Sequence, residues 1–161
     1  MSATFEDLKI LKSAEEIADS VWKRVVRWDN FAKDVVGKQM ARSADSIGAN
    51  IAESFGRYNY GEKLQFLYYA RGSLFETKYW LNRTQARGLL TAAEVREYMD
   101  HLTALARQLN TFTSGLKTFR AEQPGKKSST VREPAIGYLT SDLEEFSSPL
   151  FSEAELNSLN S

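Results

Sequence analysis

Ser43-Ala44-Asp45-Ser46-Ile47-Gly48-Ala49-Asn50-Ile51-Ala52-Glu53-Ser54-Phe55-Gly56-Arg57 is the stretch on which the fold turns, and Leu67-Tyr68-Tyr69-Ala70-Arg71-Gly72-Ser73-Leu74-Phe75-Glu76 answers it. Around the first, Val36, Met40, Ala44, Ile47, Ile51 and Phe55 recur at helical steps; in the second, Leu67, Leu74 and Leu81 lie seven apart with Ala70 and Thr77 between them. Both mix polar and small residues into helix centres. Ser43, Ser46, Asn50 and Glu53 share one face beside the apolar stripe. A polar row is costly to bury unpaired, so Ser46, Asn50 and Glu53 are expected to meet Arg71, Ser73 and Glu76 on the next helix. The set reads either as a recognition site or as a buried network that fixes helix register or a subunit contact, and the structural reading is preferred. Gly48, Ala49, Ala52, Gly72 and Ser73 lack bulk and would let the two helices approach closely.

Working outward, Leu8, Leu11, Ala14, Ile17, Ala18, Val21, Trp22 and Val25 predict a helix from about Phe5 to Arg27, broken at Trp28-Asp29-Asn30. The second helix is expected to stop at Gly56 through a left-handed glycine, and Asn59 and Gly61 mark a short connection. The third stops at Gly88 after Arg83 and Arg87. Thr91 and Glu94 form a capping box opening a fourth, which Val95, Met99, Leu102, Leu105, Ala106, Leu109, Phe112 and Leu116 carry to about Phe119. Short connections force neighbours to run antiparallel, so the expectation is an all-α protein: an antiparallel up-down four-helix bundle over 1–120. Residues 121–161 read as an acidic linker and tail, mostly flexible. Leu139, Leu143, Phe146 and Leu150 have helical spacing interrupted by Pro149, and Ser152 with Glu155 can cap a short helix carrying Leu156 and Leu159.

The two quoted stretches resemble a known family, the bacterial four-helix bundle proteins encoded within intervening sequences of the large-subunit rRNA gene. Ser-Ile-x-x-Asn-Ile-Ala-Glu stands at 46–53, Ala-Arg-Gly-Ser-x-x-Glu at 70–76, and the opening Phe5-Glu6-Asp7-Leu8-Lys9 also fits; the resemblance spans roughly 4–119. It departs at Ser54, where the family usually has Gly, and at Gly48, where it often has Pro, which bears on the end and curvature of the second helix. The acidic tail lies outside the usual family length. The resemblance implies a bundle assembled into a ring, typically a homopentamer, with nucleic-acid or ribonucleoprotein binding; relatives include accessory proteins of diversity-generating reverse transcriptases. It implies no catalysis.

Composition agrees with a folded chain: 161 residues, 42% hydrophobic and 26% charged. The zero net charge hides an asymmetry, since residues 1–120 hold 18 Lys and Arg against 14 Asp and Glu, whereas 121–161 hold 3 against 7. There is no cysteine, and neither a leader-like N-terminus nor a membrane-spanning run, so a cytoplasmic, non-membrane protein is expected. A di-iron bundle needs paired Glu-x-x-His motifs, but the single histidine, His101, has Tyr98 three residues before it. Asp45, Glu53 and Glu76 are better read as partners of nearby cations than as metal ligands. No enzyme, metal or cofactor is expected.

Lys23, Arg24 and Arg27 beside Trp22 and Trp28, with Arg83 and Arg87 near Tyr79 and Trp80, are candidate nucleic-acid contacts, able to bind phosphate while aromatics stack on bases. The plainer reading is a solvated face with cation–π pairs such as Tyr79 with Arg83. The sequence therefore leads to a non-enzymatic, homo-oligomeric bundle, a pentameric ring by resemblance, that binds structured RNA or a ribonucleoprotein. The alternative is an adaptor that organises a partner protein such as a reverse transcriptase without touching nucleic acid. The tail reads as a solubilising extension, or as a strap across the basic surface or onto a protein partner.

Overall fold

A computed structural model describes residues 8–121 and 149–161, with side chains to 118 in the first stretch. Every regular element among these residues is helical, in five helices. Helix α1, Lys9–Val25, buries Ile10, Leu11, Ala14, Ile17, Val21 and Val25, the stripe that its period demands, and ends with Lys23 and Arg24 where the helix dipole favours cations. The Asp29 carboxylate then accepts from the Ala32 N–H at 3.0 Å and caps the next helix.

Helix α2 is one continuous run, Asn30–Ala32, a π-helical turn Lys33–Gly37, and Lys38–Gly56. The π turn was not foreseen. It packs against the end of α1 so tightly that a Cβ at Gly37 would lie 2.5 Å from Val25 Cγ1, which only glycine allows. It also offsets the phase of the helix, leaving Val35 exposed and Val36 buried.

Helix α2 does not end through a left-handed glycine. Among the described residues only Gly88 has positive φ, and Gly56 stays helical while Arg57 turns extended at φ −76°, ψ 141°. Lys63 supplies the reason, because its ammonium donates to the Phe55 carbonyl at 3.0 Å and so satisfies a helix-terminal acceptor directly. Ser54, one of the departures from the family pattern, donates to the Lys63 carbonyl at 2.8 Å and ties α2 to the start of α3, Tyr60–Ala86.

Helix α3 ends at a Schellman motif with Gly88 at φ 70°: Leu89 N–H bonds Thr84 O at 2.9 Å and Gly88 N–H bonds Gln85 O at 3.1 Å. The capping box then opens α4, Ala92–Ala121: Thr91 N–H donates to Glu94 at 2.7 Å and Glu94 N–H to the Thr91 hydroxyl at 3.2 Å. The four long helices pair in sequence, α1 on α2, α2 on α3 and α3 on α4, and α1 also packs on α4. Reciprocal contacts at 3.2 Å between Tyr98 and Ser20 join that last pair. One core results, in which Val21, Met40, Ala44, Ile47, Leu67, Leu74, Leu81, Leu102, Leu105 and Leu109 have no exposed surface.

At the chain's end, residues 149–161 carry the short helix that Ser152 and Glu155 allow. Ser152 and Glu155 form the foreseen capping box, opening α5, Glu153–Leu159, and Leu150, Phe151, Leu156 and Leu159 are buried against α3 and α4. A groove on the α3–α4 face receives these four side chains, and burying a large apolar side chain contributes about 1.5–3 kcal/mol. Leu139, Leu143 and Phe146 lie outside the described residues.

Candidate nucleic-acid interface

The cations singled out in the sequence gather at one end of the helices, because α1 and α3 finish where α4 begins. Arg24 demonstrates this: its guanidinium donates to the Leu89 carbonyl at 3.4 Å and pairs with Glu94 at 3.0 Å. That commitment also sets Arg24 apart. It is half-buried and ties α1 to the α3–α4 connection, whereas Lys23, Arg27, Arg83 and Arg87 are exposed. Arg83 lies over the Tyr79 ring at 5.9 Å, and Tyr79 meets Trp80 edge-on at 5.1 Å. Since α1 and α3 are each flanked by α2 and α4, the Lys23–Arg27 and Arg83–Arg87 pairs occupy opposite corners of that end.

Apolar surface accompanies the first corner. Trp22 is 61% exposed and Phe31 78%, with Val26 and Val35 also open, so a strip runs from the last turn of α1 across the connection onto the first turns of α2. Sequence reading missed Phe31 and Val35, because the π turn Lys33–Gly37 before Met40 offsets the period by which inward and outward positions are told apart. Trp28 turns inward instead, packed on the core with its indole N–H buried and unpartnered.

The foreseen polar network divides. Asn50 donates to Ser73 Oγ at 3.4 Å and to its own helix at Ser46 O at 2.8 Å, the one reach between the two named rows. Ser46 bonds back to Arg42 O, Glu53 pairs with Arg57 just past the end of its own helix, and Glu76 accepts from the Trp80 indole at 3.4 Å. Arg71 turns away from α2 altogether, to Glu155 in the C-terminal segment. The buried polar link between α2 and α3 lies one turn away. There the Thr77 hydroxyl is shared between the Ser73 carbonyl at 2.8 Å and Ser43 Oγ at 3.1 Å, and Ser43 donates to Met40 O at 3.0 Å. Exposed ends of long side chains find water or a nearby residue of their own segment more cheaply than a partner across the interface, so at these two rows the short side chains make the bridge.

The small residues also act elsewhere than expected. A Cβ on Gly48 would meet Ala14 Cβ on α1 at 3.6 Å, and one on Gly72 would meet nothing within 4 Å. Gly48, Ala49 and Ala52 line a shallow groove of about 480 Å³ between α1 and α2 together with Ala14, Ala18, Glu15, Asp19 and Asp45. Asp45 faces Asp19 there instead of a cation; desolvation first and that like charge second raise its pKa above the usual aspartate value. Among the described residues no three acidic or histidine side chains gather to hold a metal, and none of the helices is long and apolar enough to cross a membrane.

A family model described as 23S rRNA-intervening sequence protein matches residues 6–111. The chain belongs to that family. Both motifs, the apolar strip and all five candidate cations fall inside the matched stretch, and the docked C-terminal segment falls outside it. No curated protein matches the chain.

Proposed function

We propose that the protein is an antiparallel four-helix bundle that self-associates and binds nucleic acid, structured RNA or a ribonucleoprotein, without catalysing a reaction, in the cytoplasm. The observation that carries the reading is the set of exposed cations Lys23, Arg27, Arg83 and Arg87 beside exposed Trp22 and Tyr79 at one end of the helices. Two cationic corners on a monomer make a weak field, but copies arranged around an axis repeat them on one rim, where phosphates are attracted cooperatively. The strip of Trp22, Val26, Phe31 and Val35 supports self-association, since contiguous exposed apolar surface marks interaction sites. A pentameric ring rests on the resemblance alone.

Size exclusion with light scattering, followed by titration with structured RNA across a salt series, tests both parts. A homo-oligomer whose RNA affinity falls steeply with salt supports the reading, because each phosphate contact releases a counterion. A homo-oligomer indifferent to RNA supports the second reading, an adaptor that organises a partner protein such as a reverse transcriptase. The acidic groove of Glu15, Asp19 and Asp45 favours that alternative, because it repels phosphate along α1 and α2.

A further inference from the structure

The C-terminal segment is held as a bound peptide is held, largely by side chains of α3 and α4. Asn110 grips one residue's main chain twice: its Nδ2 donates to Phe151 O at 2.7 Å and its Oδ1 accepts the Phe151 N–H at 2.8 Å. The Phe151 ring lies 5.8 Å from Phe75, and the Arg71 guanidinium stands over both rings, at 5.1 Å from Phe75 and 5.7 Å from Phe151, while pairing with Glu155. Farther along, Lys78 donates to Ser158 O and the Thr103 hydroxyl to Asn160 Oδ1 at 2.7 Å. Three main-chain bonds, an aromatic anchor and a charge pair make up a peptide-recognition surface.

The connection to this segment is longer than the docking requires. Phe151 sits at Asn110 and Asn160 at Thr103, so the segment runs antiparallel to α4. Returning from Ala121 to the level of Asn110 needs only eleven residues of helical rise, roughly 17 Å. Residues 122–148 intervene, 27 in number, with a contour of roughly 90 Å. Every contact made with the chain's own groove can be made with the same groove of a neighbour within that reach. A neighbour's groove within that reach competes with the chain's own at an effective concentration set by its distance.

We propose that the α3–α4 groove is the docking site for the C-terminal segment of a second copy of this chain, in exchange with the chain's own. Arg71, Lys78 and Arg107 on the groove complement the acidic segment from any copy. The second copy is supplied by the self-association proposed above, but the two ideas are measured separately.

The chain contains no cysteine, so single thiols report on it cleanly. Full-length Lys78→Cys and Ser158→Cys chains, mixed and treated with a short bis-maleimide, are expected to give a product of two chains on a denaturing gel. Phe151→Ala added to the Ser158→Cys chain is expected to lower that yield on the order of tenfold or more, because the anchor is lost. Exchange is overturned if a chain carrying both cysteines links only within itself while the mixture yields no two-chain product, or if Phe151→Ala leaves the yield unchanged. Light scattering on the same samples reads assembly independently. An assembled protein without the two-chain product sinks exchange alone, whereas a monomer that forms the product on mixing supports exchange and removes the ring.

Discussion

Arg71 on α3 is ion-paired with Glu155, 84 residues farther along the chain, and stands over the rings of both Phe75 and Phe151. A residue of the family's Ala-Arg-Gly-Ser motif is thus engaged by a segment beyond the family match. Arg71→Ala removes an ion pair and two ring contacts that are about one-third exposed, so docking weakens by about 1–2 kcal/mol after solvent screening. Hydrogen exchange over 150–160 should accelerate about tenfold, with the α1–α4 core unchanged. An unaltered exchange rate in the segment contradicts the contact.

Acid should release the same segment. Glu155 is held below the usual glutamate value, first by the Ser152 backbone N–H, which burial opposes, and then by Arg71 and the Ser152 hydroxyl. A depressed carboxylate stabilises the docked state above its unfolded pKa, near 4.5, and that stabilisation is lost as pH falls through the lower docked value. Proteolysis at the C-terminus should therefore increase below about pH 4.5, and Glu155→Gln should abolish that pH dependence.

Asp45 predicts the opposite sign. Its raised pKa means that the folded state binds the proton more tightly, so the ionised group costs stability once pH rises above 3.8 toward the folded value and costs nothing below. Asp45→Asn should raise the melting temperature at pH 7, by a few tenths of a kcal/mol in stability because the group is solvent-screened. The gain should vanish in acid. A destabilised Asn variant at pH 7 would show that Asp45 has an attractive partner.

Three glycines should separate cleanly. Gly72→Ala, with open space around it, and Gly48→Ala, with an ordinary contact to Ala14, should each stabilise by about 0.5–1 kcal/mol through helix propensity. Gly37→Ala collides with Val25 in the π turn and should destabilise by about 1–3 kcal/mol. Chemical denaturation of the three variants ranks them. A neutral Gly37→Ala would mean that the π turn relaxes freely.

The cations divide by role. Lys23, Arg27 and Arg87 are exposed, so their combined replacement by Ala should leave stability within about 0.5 kcal/mol while lowering the salt slope of RNA binding by roughly one for each lost phosphate contact. Arg24→Ala should instead destabilise the protein, because Leu89 O and Glu94 lose their partner. Glu94 is held ionised chiefly by the Thr91 backbone and hydroxyl, so its charge remains when Arg24 is removed. Equal effects of the two replacements on stability would erase the distinction.

Local chemistry was legible in the chain because it depends on neighbours in sequence. The apolar period marked the buried faces of α1 to α4, Thr91 with Glu94 and Ser152 with Glu155 announced their caps, and Gly88 its left-handed stop. What depends on a partner from elsewhere in the chain was not legible. Gly56 ends its helix as read, but without the left-handed turn, because Lys63 satisfies Phe55 O, and Gly48 faces α1 instead of α3. Arg71 had several acidic residues within plausible reach, and only the packed tertiary structure selects Glu155 by placing Phe75 and Asn110 where Phe151 can be buried. Sequence thus determined the helices, their inner faces and the list of cations, because these follow from period and from charge carried on each residue. Tertiary structure decided which cations stay free and which are taken, because an ion pair depends on distance in space, and helix packing sets that distance.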